Sequence, residues 1–514
     1  MKSVEDKAAS RPLGVAEKLT SGKIDSATVY RKKVVLTGER EFLLSDNGRW
    51  CLLDAVTLLG RVVGDLTVIV PDGAEQLESE VKALCHELWT RQPVNILREG
   101  HPFSIQTADA ILSVGRQARP SLPWTVVNSN GWVARVSSGA ENLPSDVAQP
   151  NPLGALMAAS LGVTEVFKRI FGVPHDIAPL ADKIELSLFD QTVDPSWIGP
   201  PLPDSIHLPD TLVVGGGAIG NGIALLLSQL VVTGRLHIID NQDYGDENFG
   251  TCVLLGHTGW IGVPKAERLT DWLKQNSKLS VTGEKDLIQT AKDGEMVSSL
   301  SIDLILNGLD KVDARQEAQS LWPSTIVDGG ISDVGAAVIQ YRLGQDDCAC
   351  LKCWFDTPKV DEQKQQSKLT GLPIDALADL GRKLTDADLE RATEEKRPWL
   401  SECVKQGKTV CSVISEAALT SKLGVEVENN FRPSVPFVAT ASAAMVVAEA
   451  IKAIIFPTSK TASKFQIDSL FSDIRESMRK LRMRPSAGCQ CVVHRDRIIK
   501  LQKKRQKNHA NALP

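Results

Sequence analysis

A glycine-rich turn is the first stretch whose residue types could bind a nucleotide. In TLVVGGGAIGNGIALLLSQL an apolar run leads into Gly215, Gly217 and Gly220 and then into a helical pattern. Glycines let the backbone approach a pyrophosphate, and the unpaired amides of a helix N-terminus carry partial positive charge. About twenty residues further on, Asp240 ends the second predicted strand, where a carboxylate can accept hydrogen bonds from ribose hydroxyls. The pattern predicts a nucleotide but no particular reaction.

Charged residues downstream favour ATP over a nicotinamide. Asn248 is followed by Lys265 in GVPKAERL, and Asp310 and Arg315 lie in IDLILNGLDKVDARQE. Lysine and arginine can neutralise a triphosphate, and an aspartate at a strand's carboxyl end can hold Mg²⁺. This combination is what the activation of a carboxylate by ATP requires, and hydride transfer has no need of it.

Two close cysteine pairs predict a metal site. Cys350 and Cys353 lie in CACLKC, and Cys489 and Cys491 lie in GCQCVVH. Two such pairs, separated by a long insertion, can form a tetrahedral Zn²⁺ site. The second pair is CxC, so His494 in place of one thiolate is an alternative that the sequence leaves open.

An internal repeat predicts two similar α/β halves. PLGALMAASLGVTEVFKRIF aligns without a gap with PFVATASAAMVVAEAIKAII, and the alignment matches Glu165 with Glu449 and Lys168 with Lys452. Both segments are predicted to be Ala-rich helices that end in an exposed Glu/Lys turn. ADAILSVGR matches IDLILNGLD in the same order, but Arg116 stands where the second segment has Asp310. We therefore expect the first half to be a degenerate, structural copy.

Composition limits the class of protein. A chain of 514 residues with a formal charge of −5 suggests roughly three domains and argues against nucleic acid as the main partner. The N-terminus lacks the apolar core of a signal peptide, and AAMVVAEAIKAIIF is interrupted by Glu449 and Lys452, which predicts no membrane span. A cytoplasmic location and a solvated basic tail are expected.

The ordered set of motifs resembles the ubiquitin-activating enzyme superfamily, which includes the adenylyltransferases that activate the sulfur carriers of molybdopterin and thiamine synthesis. The resemblance rests on GxGxxG, the strand-end Asp, the Asn eight residues later, GxPKxE, an Asp followed five residues on by Arg, and the paired cysteines. It covers about 211–355 and 433–491 well, and the first half faintly. The sequence departs from the pattern at Gln242, where Asp is usual, and at Thr251, where Arg is usual. An arginine from the first half could compensate.

The resemblance implies roles for individual residues and a fold of two Rossmann-like α/β adenylation-type halves. Gly215, Gly217 and Gly220 would bind ATP, Asp240 the ribose, Asn248 and Lys265 the phosphates, and Asp310 the Mg²⁺, while Arg315 would orient Asp310 or a phosphate. The cofactors implied are ATP, Mg²⁺ and Zn²⁺. The expected organisation is an inactive half over 1–180, a linker over 181–210, an active half over 211–353 and 433–492, an inserted segment over 354–432, and a basic tail over 493–514.

The polar insertion is too long for a loop, and in the resembling enzymes this region carries a nucleophilic cysteine. Cys403 and Cys411 are the candidates. Cys411 is favoured because it opens an apparent helix near Lys408, which should lower the pKa of its thiol. An inert, buried thiol is the alternative for either.

The resemblance implies activation of a ubiquitin-like protein by adenylation of its C-terminus, thioester formation on the enzyme, and transfer to a conjugating enzyme. The chain could also act as a homodimer. Adenylation of a sulfur-carrier protein without a thioester is the first alternative. A nicotinamide-dependent oxidoreductase, a non-catalytic scaffold and a pseudoenzyme that keeps only the fold are further alternatives.

Overall fold

The structure of the chain is a computed structural model. It describes residues 31–100, 105–172, 178–256, 258–332, 335–345, 348–355, 360–377, 379, 381–410, 412–414, 416–417, 435–459, 462–470 and 472–512. Cys411, the favoured nucleophile, lies outside these residues.

The first half forms one eight-stranded sheet. Its strands are β1 Lys33–Gly38, β2 Asp65–Val70, β3 Asn95–Arg98, β4 Ala110–Val114, β5 Trp124–Asn130, β6 Val133–Ser137, β7 Lys183–Ser187 and β8 Thr192–Val193. They lie in the order β3-β2-β1-β4-β5-β6-β7-β8. The first five are mutually parallel and the last three antiparallel. The predicted linker over 181–210 is too long, because β7 and β8 belong to this sheet.

The second half repeats this strand order. After the short pair β9 Ile206–His207 and β11 Val232–Thr233, the sheet is built from β10 Thr211–Val214, β12 Arg235–Ile239, β13 Ser280–Glu284, β14 Leu304–Asn307, β15 Thr325–Ser332, β16 Gly335–Arg342, β17 Lys464–Ile467 and β18 Arg479–Leu481. Their order is β13-β12-β10-β14-β15-β16-β17-β18, again with five parallel and three antiparallel strands. The chain is thus an α/β protein with Rossmann-like sheets.

Seventeen helices are described. They are α1 Arg40–Leu43, α2 Asp46–Val62, α3 Glu75–Glu87, α4 Pro152–Ile170, α5 Ala218–Gln229, α6 Lys265–Asn276, α7 Ile288–Ala291, α8 Glu295–Ser299, α9 Val312–Gln319, α10 Leu351–Trp354, α11 Val360–Thr370, α12 Asp386–Arg391, α13 Arg397–Lys405, α14 Pro436–Ile455, α15 Ile474–Ser477, α16 Gln490–Val493 and α17 Arg495–Ala512. Helices α2, α4, α14 and α5 pack on one another in that order, and both sheets share one apolar core through them.

The Glu/Lys pairs that end α4 and α14 are buried, so the prediction of an exposed turn is wrong. Glu165 and Lys168 form an ion pair at 2.7 Å, and Lys452 and Glu449 form one at 2.5 Å. Lys452 also donates to the carbonyls of Leu188 and Phe189 in the first half. A buried charge is tolerated when it is paired and hydrogen-bonded. Both helices are covered by neighbours: α4 by α2, α14 and β5, and α14 by α4, α5 and β15.

Helix α14 is long and apolar enough to cross a membrane by length and composition, contrary to the expectation from its two charged residues. In the folded chain 83% of its apolar window is buried inside the protein. A helix that is apolar all round is typical of a protein core, and α14 packs between α4, α5, β15 and β16.

The insertion forms a core of its own, and the basic tail packs onto the second half. The insertion has a small apolar core of its own, which includes Leu372, Leu384 and Leu400. Helix α17 lies on the second half: Gln502 is buried and donates to the carbonyl of Trp322. The tail is therefore partly docked rather than fully solvated.

Candidate functional site

The glycine turn lies between β10 and α5 and requires glycine at specific positions. Gly215 has a φ of +98°, in the left-handed region that other residues rarely adopt. A Cβ on Gly220 would lie 2.1 Å from the carbonyl oxygen of Gly215, so the close packing of the turn on α5 excludes a side chain. A Cβ on Gly217 would meet nothing within 4 Å, so the turn is open at the residue that caps α5.

Asp240 follows β12 and ties that strand to the turn. Its Oδ2 accepts the amide of Gly216 at 2.6 Å and its Oδ1 accepts the amide of Gln242 at 2.7 Å. Burial raises the pKa of Asp240 above its ordinary value, while nearby Lys265 opposes the shift. The residue expected to bind a ribose therefore also fixes the shape of the glycine turn.

Lys265 begins α6 and is 5% exposed. Its Nζ donates to Oε1 of Gln242 at 2.9 Å, and its backbone amide donates to the carbonyl of Gln242. This glutamine stands where the resembling enzymes have an aspartate. The amide of Gln242 is neutral, so this hydrogen bond positions the ammonium without forming an ion pair.

Asn248 and Asn221 are both buried beside the turn. Oδ1 of Asn248 accepts the amide of Gly245 at 2.9 Å, so its side chain shapes its own turn. Asn221 was not predicted from the sequence. Its Nδ2 donates to the carbonyls of Gly216 and Gly217, both at 2.9 Å. The signal that could have revealed it is its place directly after the last glycine of the motif.

Asp310 and Arg315 follow β14. Asp310 is exposed, whereas Arg315 on α9 donates to the carbonyl of Leu309 at 2.8 Å and to Oδ2 of Asp328 at 3.0 Å. The guanidinium thus holds the backbone next to Asp310 and pairs with a second carboxylate. Sequence reasoning missed Asp328, which is buried, accepts from Nδ2 of Asn307, and has its pKa raised to about 6 by that burial.

These residues meet at one edge of the second sheet. The glycine turn, Asp240 and the loop that carries Asp310 follow the neighbouring parallel strands β10, β12 and β14. A Cβ on Gly215 would lie 3.1 Å from the carbonyl carbon of Gly308, and Asp310 acts electrostatically on Asp240. The carboxyl edge of such a sheet is where doubly wound folds bind ligands.

The four predicted cysteines form one cluster. The Sγ atoms of Cys350, Cys353, Cys489 and Cys491 all lie within 4.8 Å of one another. Individual separations are 3.7 Å for Cys350–Cys353, 3.5 Å for Cys350–Cys489 and 3.6 Å for Cys353–Cys491. Four thiolates at about 2.3 Å around a tetrahedral Zn²⁺ would lie about 3.8 Å apart, so the group fits zinc. Among the described residues the CxC pair completes the cluster, and His494 is not a member.

The surroundings of Cys403 are those of an inert thiol. Its side chain is 1% exposed, and burial, reinforced by Glu416, raises its pKa to about 11. Lys408 is also buried and forms an ion pair with Glu416 at 2.6 Å. This pairing neutralises the charge that was expected to lower the pKa of the Cys411 thiol.

The second half of the chain matches a known protein family. The sequence pattern of the ThiF family matches residues 191–491. The uncharacterized protein y4jF of Sinorhizobium fredii is 27% identical over 332 residues, which cover 62% of this chain and 60% of that protein. The match therefore spans about 60% of the relative's length.

Solved structures with a similar chain include Escherichia coli MccB. MccB with MccA-N7isoASN is 18% identical, with a TM-score of 0.35, and the match covers 55% of this chain and 67% of that one. MccB with ATP is 17% identical, with a TM-score of 0.34 and the same two coverages.

Proposed function

The chain belongs to the ThiF family of the ubiquitin-activating enzyme superfamily, and from that premise we propose that its second half activates a ubiquitin-like protein. Family membership supports ATP-dependent adenylation of a substrate's C-terminus. The ubiquitin-like substrate, the thioester and the conjugating enzyme are the proposed extension. We also propose that the first half is a degenerate copy without an ATP site of its own.

One observation carries the proposal: an open glycine turn, a buried carboxylate and a buried lysine lie together at the carboxyl edge of β10 and β12. Gly217 leaves the N-terminus of α5 uncovered, Asp240 ties the turn to β12, and the ammonium of Lys265 is held by a neutral amide. Helix N-terminal amides and a poised ammonium are what a triphosphate needs.

The proposed reaction has two steps. An oxygen of the substrate's C-terminal carboxylate attacks the α-phosphorus of ATP, the bond to the β-phosphate oxygen breaks, and pyrophosphate leaves. Lys265 would neutralise charge on the phosphates, and Asp310 would hold Mg²⁺, which supplies further neutralisation when bound. In the second step a cysteine thiolate attacks the acyl carbon, a thioester forms, and AMP leaves.

Cys411 is the proposed nucleophile of the second step. Cys403, the competing thiol, is buried with a raised pKa. The thiolate is the reactive form, so Cys403 would be nearly unreactive at neutral pH. Lys408 is paired with Glu416, so its charge is no longer a reason to expect a lowered pKa at Cys411. The remaining reason is the positive charge at the N-terminus of the helix that the sequence predicts to begin at Cys411.

The zinc cluster would have a structural role. Cys350 and Cys353 precede the insertion, while Cys489 and Cys491 follow the second sheet, so a shared ion would pin the C-terminal segment to the base of the insertion. Four thiolates leave no open coordination position, which is typical of structural rather than catalytic zinc.

The test is ATP–pyrophosphate exchange with a panel of purified ubiquitin-like and sulfur-carrier proteins. At least one carrier should stimulate exchange, and that carrier should form an adduct that a thiol reductant removes. Cys411→Ala should keep exchange and lose the adduct, whereas the matched control Cys403→Ala should keep both. An adduct that persists in Cys411→Ala and disappears in Cys403→Ala would move the role to Cys403.

Two other outcomes separate the alternatives. Robust exchange without an adduct for every carrier would favour adenylation of a sulfur carrier without conjugation. Absence of exchange with every carrier, together with no binding of Mg·ATP, would overturn the adenylation proposal itself.

A further inference from the structure

Arg61 belongs to the first half, but its guanidinium reaches into the second. It lies in the last turn of α2 and is completely buried. Nη1 donates to the carbonyl of Phe249 at 2.7 Å, and Nη2 donates to those of Val253 at 2.7 Å and Leu255 at 3.0 Å. All three acceptors lie in residues 248–256, the Asn248 loop, which begins at a residue expected to bind phosphate.

The first half holds this loop at further points. The amide of Trp89 donates to the carbonyl of Leu255 at 3.1 Å, and Leu88 forms a β-bridge with Gly256. The ring of Trp89 lies 5.0 Å from that of Phe249 between centroids. The loop therefore takes its shape from contacts on both sides of the interface between the halves.

The Asn248 loop is connected to the glycine turn through Asn221. Oδ1 of Asn221 accepts the amide of Leu254 at 3.3 Å, and its Nδ2 donates to the carbonyls of Gly216 and Gly217. A displacement of the loop would therefore be passed to the backbone that is expected to face the phosphates. The connection consists of described hydrogen bonds from Arg61 to Gly217.

The burial of an arginine has a high free-energy cost. Its hydrogen bonds end on neutral carbonyls, and burial lowers the pKa of Arg61 to about 10, so it is still charged at neutral pH. Burying a charge costs free energy that an apolar side chain of similar size would avoid. What the guanidinium provides is a rigid, planar fork that holds three carbonyls in fixed directions, whereas the donors of a lysine ammonium radiate from one nitrogen on a flexible stem.

We infer that Arg61 is a positioning residue through which the first half sets the geometry of the nucleotide site in the second half. It acts on the Asn248 loop directly and on the glycine turn through Asn221. This inference rests on the proposed function, and it gives the first half a role that requires no site of its own.

The test compares Arg61→Lys with Arg169→Lys by titrating Mg·ATP into the purified full chain in a calorimeter. Arg169 is the matched control, because its guanidinium also donates to two backbone carbonyls, those of Trp124 and Ser138, but both lie in the first half. Arg61→Lys should raise the Kd for Mg·ATP about tenfold or more, since a misplacement of about 1 Å can cost 10²-fold in function. Arg169→Lys should change the Kd less than about twofold, as expected for an independent site, even if both variants lower the melting temperature equally.

The outcomes separate this inference from the proposed function. Wild-type protein that fails to bind Mg·ATP overturns both. Wild-type binding with an unchanged Kd in a folded Arg61→Lys overturns the inference alone, as would an equal loss of affinity in Arg169→Lys.

A measurement on the wild type decides the matter if Arg61→Lys does not fold. Addition of Mg·ATP should slow hydrogen exchange at the amide of Trp89, which bonds to the Asn248 loop across the interface. The amide of Ile111, which bonds to Pro123 within the first half, should be unaffected. Equal exchange at Trp89 with and without Mg·ATP would overturn the inference.

Discussion

The two sheets have the same strand order but differ at the edge where a ligand would lie. In the second sheet the turn after β10 is open at Gly217. In the first sheet β1 is followed by Glu39, whose Oε1 accepts the amides of Arg116 at 2.8 Å and Gln117 at 2.7 Å. A Cβ on Gly115 would lie 2.6 Å from the same oxygen. The first half thus covers two backbone amides that follow β4 with its own carboxylate.

Under the proposed function, this difference means that a shared strand order is not sufficient for a nucleotide site. Backbone amides at the carboxyl edge of a parallel sheet attract an anion, and either a ligand or a side chain can satisfy them. In the second half Asp240 accepts the amide of Gly216, but the turn stays open at Gly217. In the first half Glu39 accepts the two amides that follow β4. We therefore interpret the first half as the structural partner of the second, in keeping with the position of Arg61.

Loss of the cysteine cluster should have the largest effect on the second half. Cys353→Ser should abolish binding of one Zn²⁺ per chain, because it removes one of four thiolates, and structural zinc contributes about 10 kcal/mol or more to folding in small domains. Elemental analysis and thermal denaturation measure both effects. Cys348→Ser is the control, since Cys348 donates to the carbonyl of Gln340 instead. Unchelated wild-type protein without zinc would contradict the assignment.

Removing the lysine at the open edge should cost the next largest amount. Lys265→Ala should slow ATP–pyrophosphate exchange by 10²- to 10³-fold, or about 3–4 kcal/mol, because charge stabilisation at the transition state is lost. Replacement of Lys274, an exposed lysine on the same helix, by alanine should leave exchange unchanged.

Asp310→Ala should abolish exchange, whereas Arg116→Ala at the equivalent place in the first half should not. Equal losses in Asp310→Ala and Arg116→Ala would contradict the proposed asymmetry.

Helix α2 in the first half and helix α5 in the second differ in buried charge, and we expect this difference to make stability depend on pH. Helix α2 buries Asp54, which accepts from Gln229 on α5, while α5 itself has no ionisable residue. Burial raises the pKa of Asp54 to about 7, against 3.8 when solvated. A raised carboxyl pKa means that the folded state holds the proton more tightly, so its contribution to stability falls as the pH rises from about 4 to about 7.

Asp54→Asn should therefore gain stability relative to the wild type by about 1.4 kcal/mol per pH unit between pH 5 and 7. Urea denaturation at several pH values measures the difference. The matched variant Asp72→Asn, at an exposed position after β2, should show no such slope. A flat difference for Asp54→Asn would show that its carboxyl is ionised throughout.

The smallest effect is expected at Glu39. Because the first half is proposed to lack a site, the wild-type chain should bind one Mg·ATP, and Glu39→Gln should change neither the number bound nor the Kd. Calorimetric titration measures both quantities. Two molecules bound per wild-type chain would show that the first half also binds nucleotide.

Much of the second half could be predicted because its signals are local. The glycine turn, Asp240, Lys265 and the spacing of the four cysteines are encoded by residue type over short stretches, and the structure brings them to one edge or one cluster. The matching of β4 with β14 and of α4 with α14 also came from local patterns. β4 and β14 occupy equivalent places in the two strand orders, and α4 and α14 each lie between the sixth and seventh strands of their sheets.

Tertiary structure alone decided the contacts between distant segments. Nothing in the sequence around Arg61 indicates that its guanidinium binds a loop about 190 residues away, and the same holds for the pairing of Arg315 with Asp328. The exposure of Glu449 and Lys452 was predicted wrongly because helical periodicity shows which face is apolar but not how many neighbours cover the helix. Local backbone preference is written in adjacent residues, whereas burial and long-range hydrogen bonds depend on how the layers pack, and that is determined by the chain as a whole.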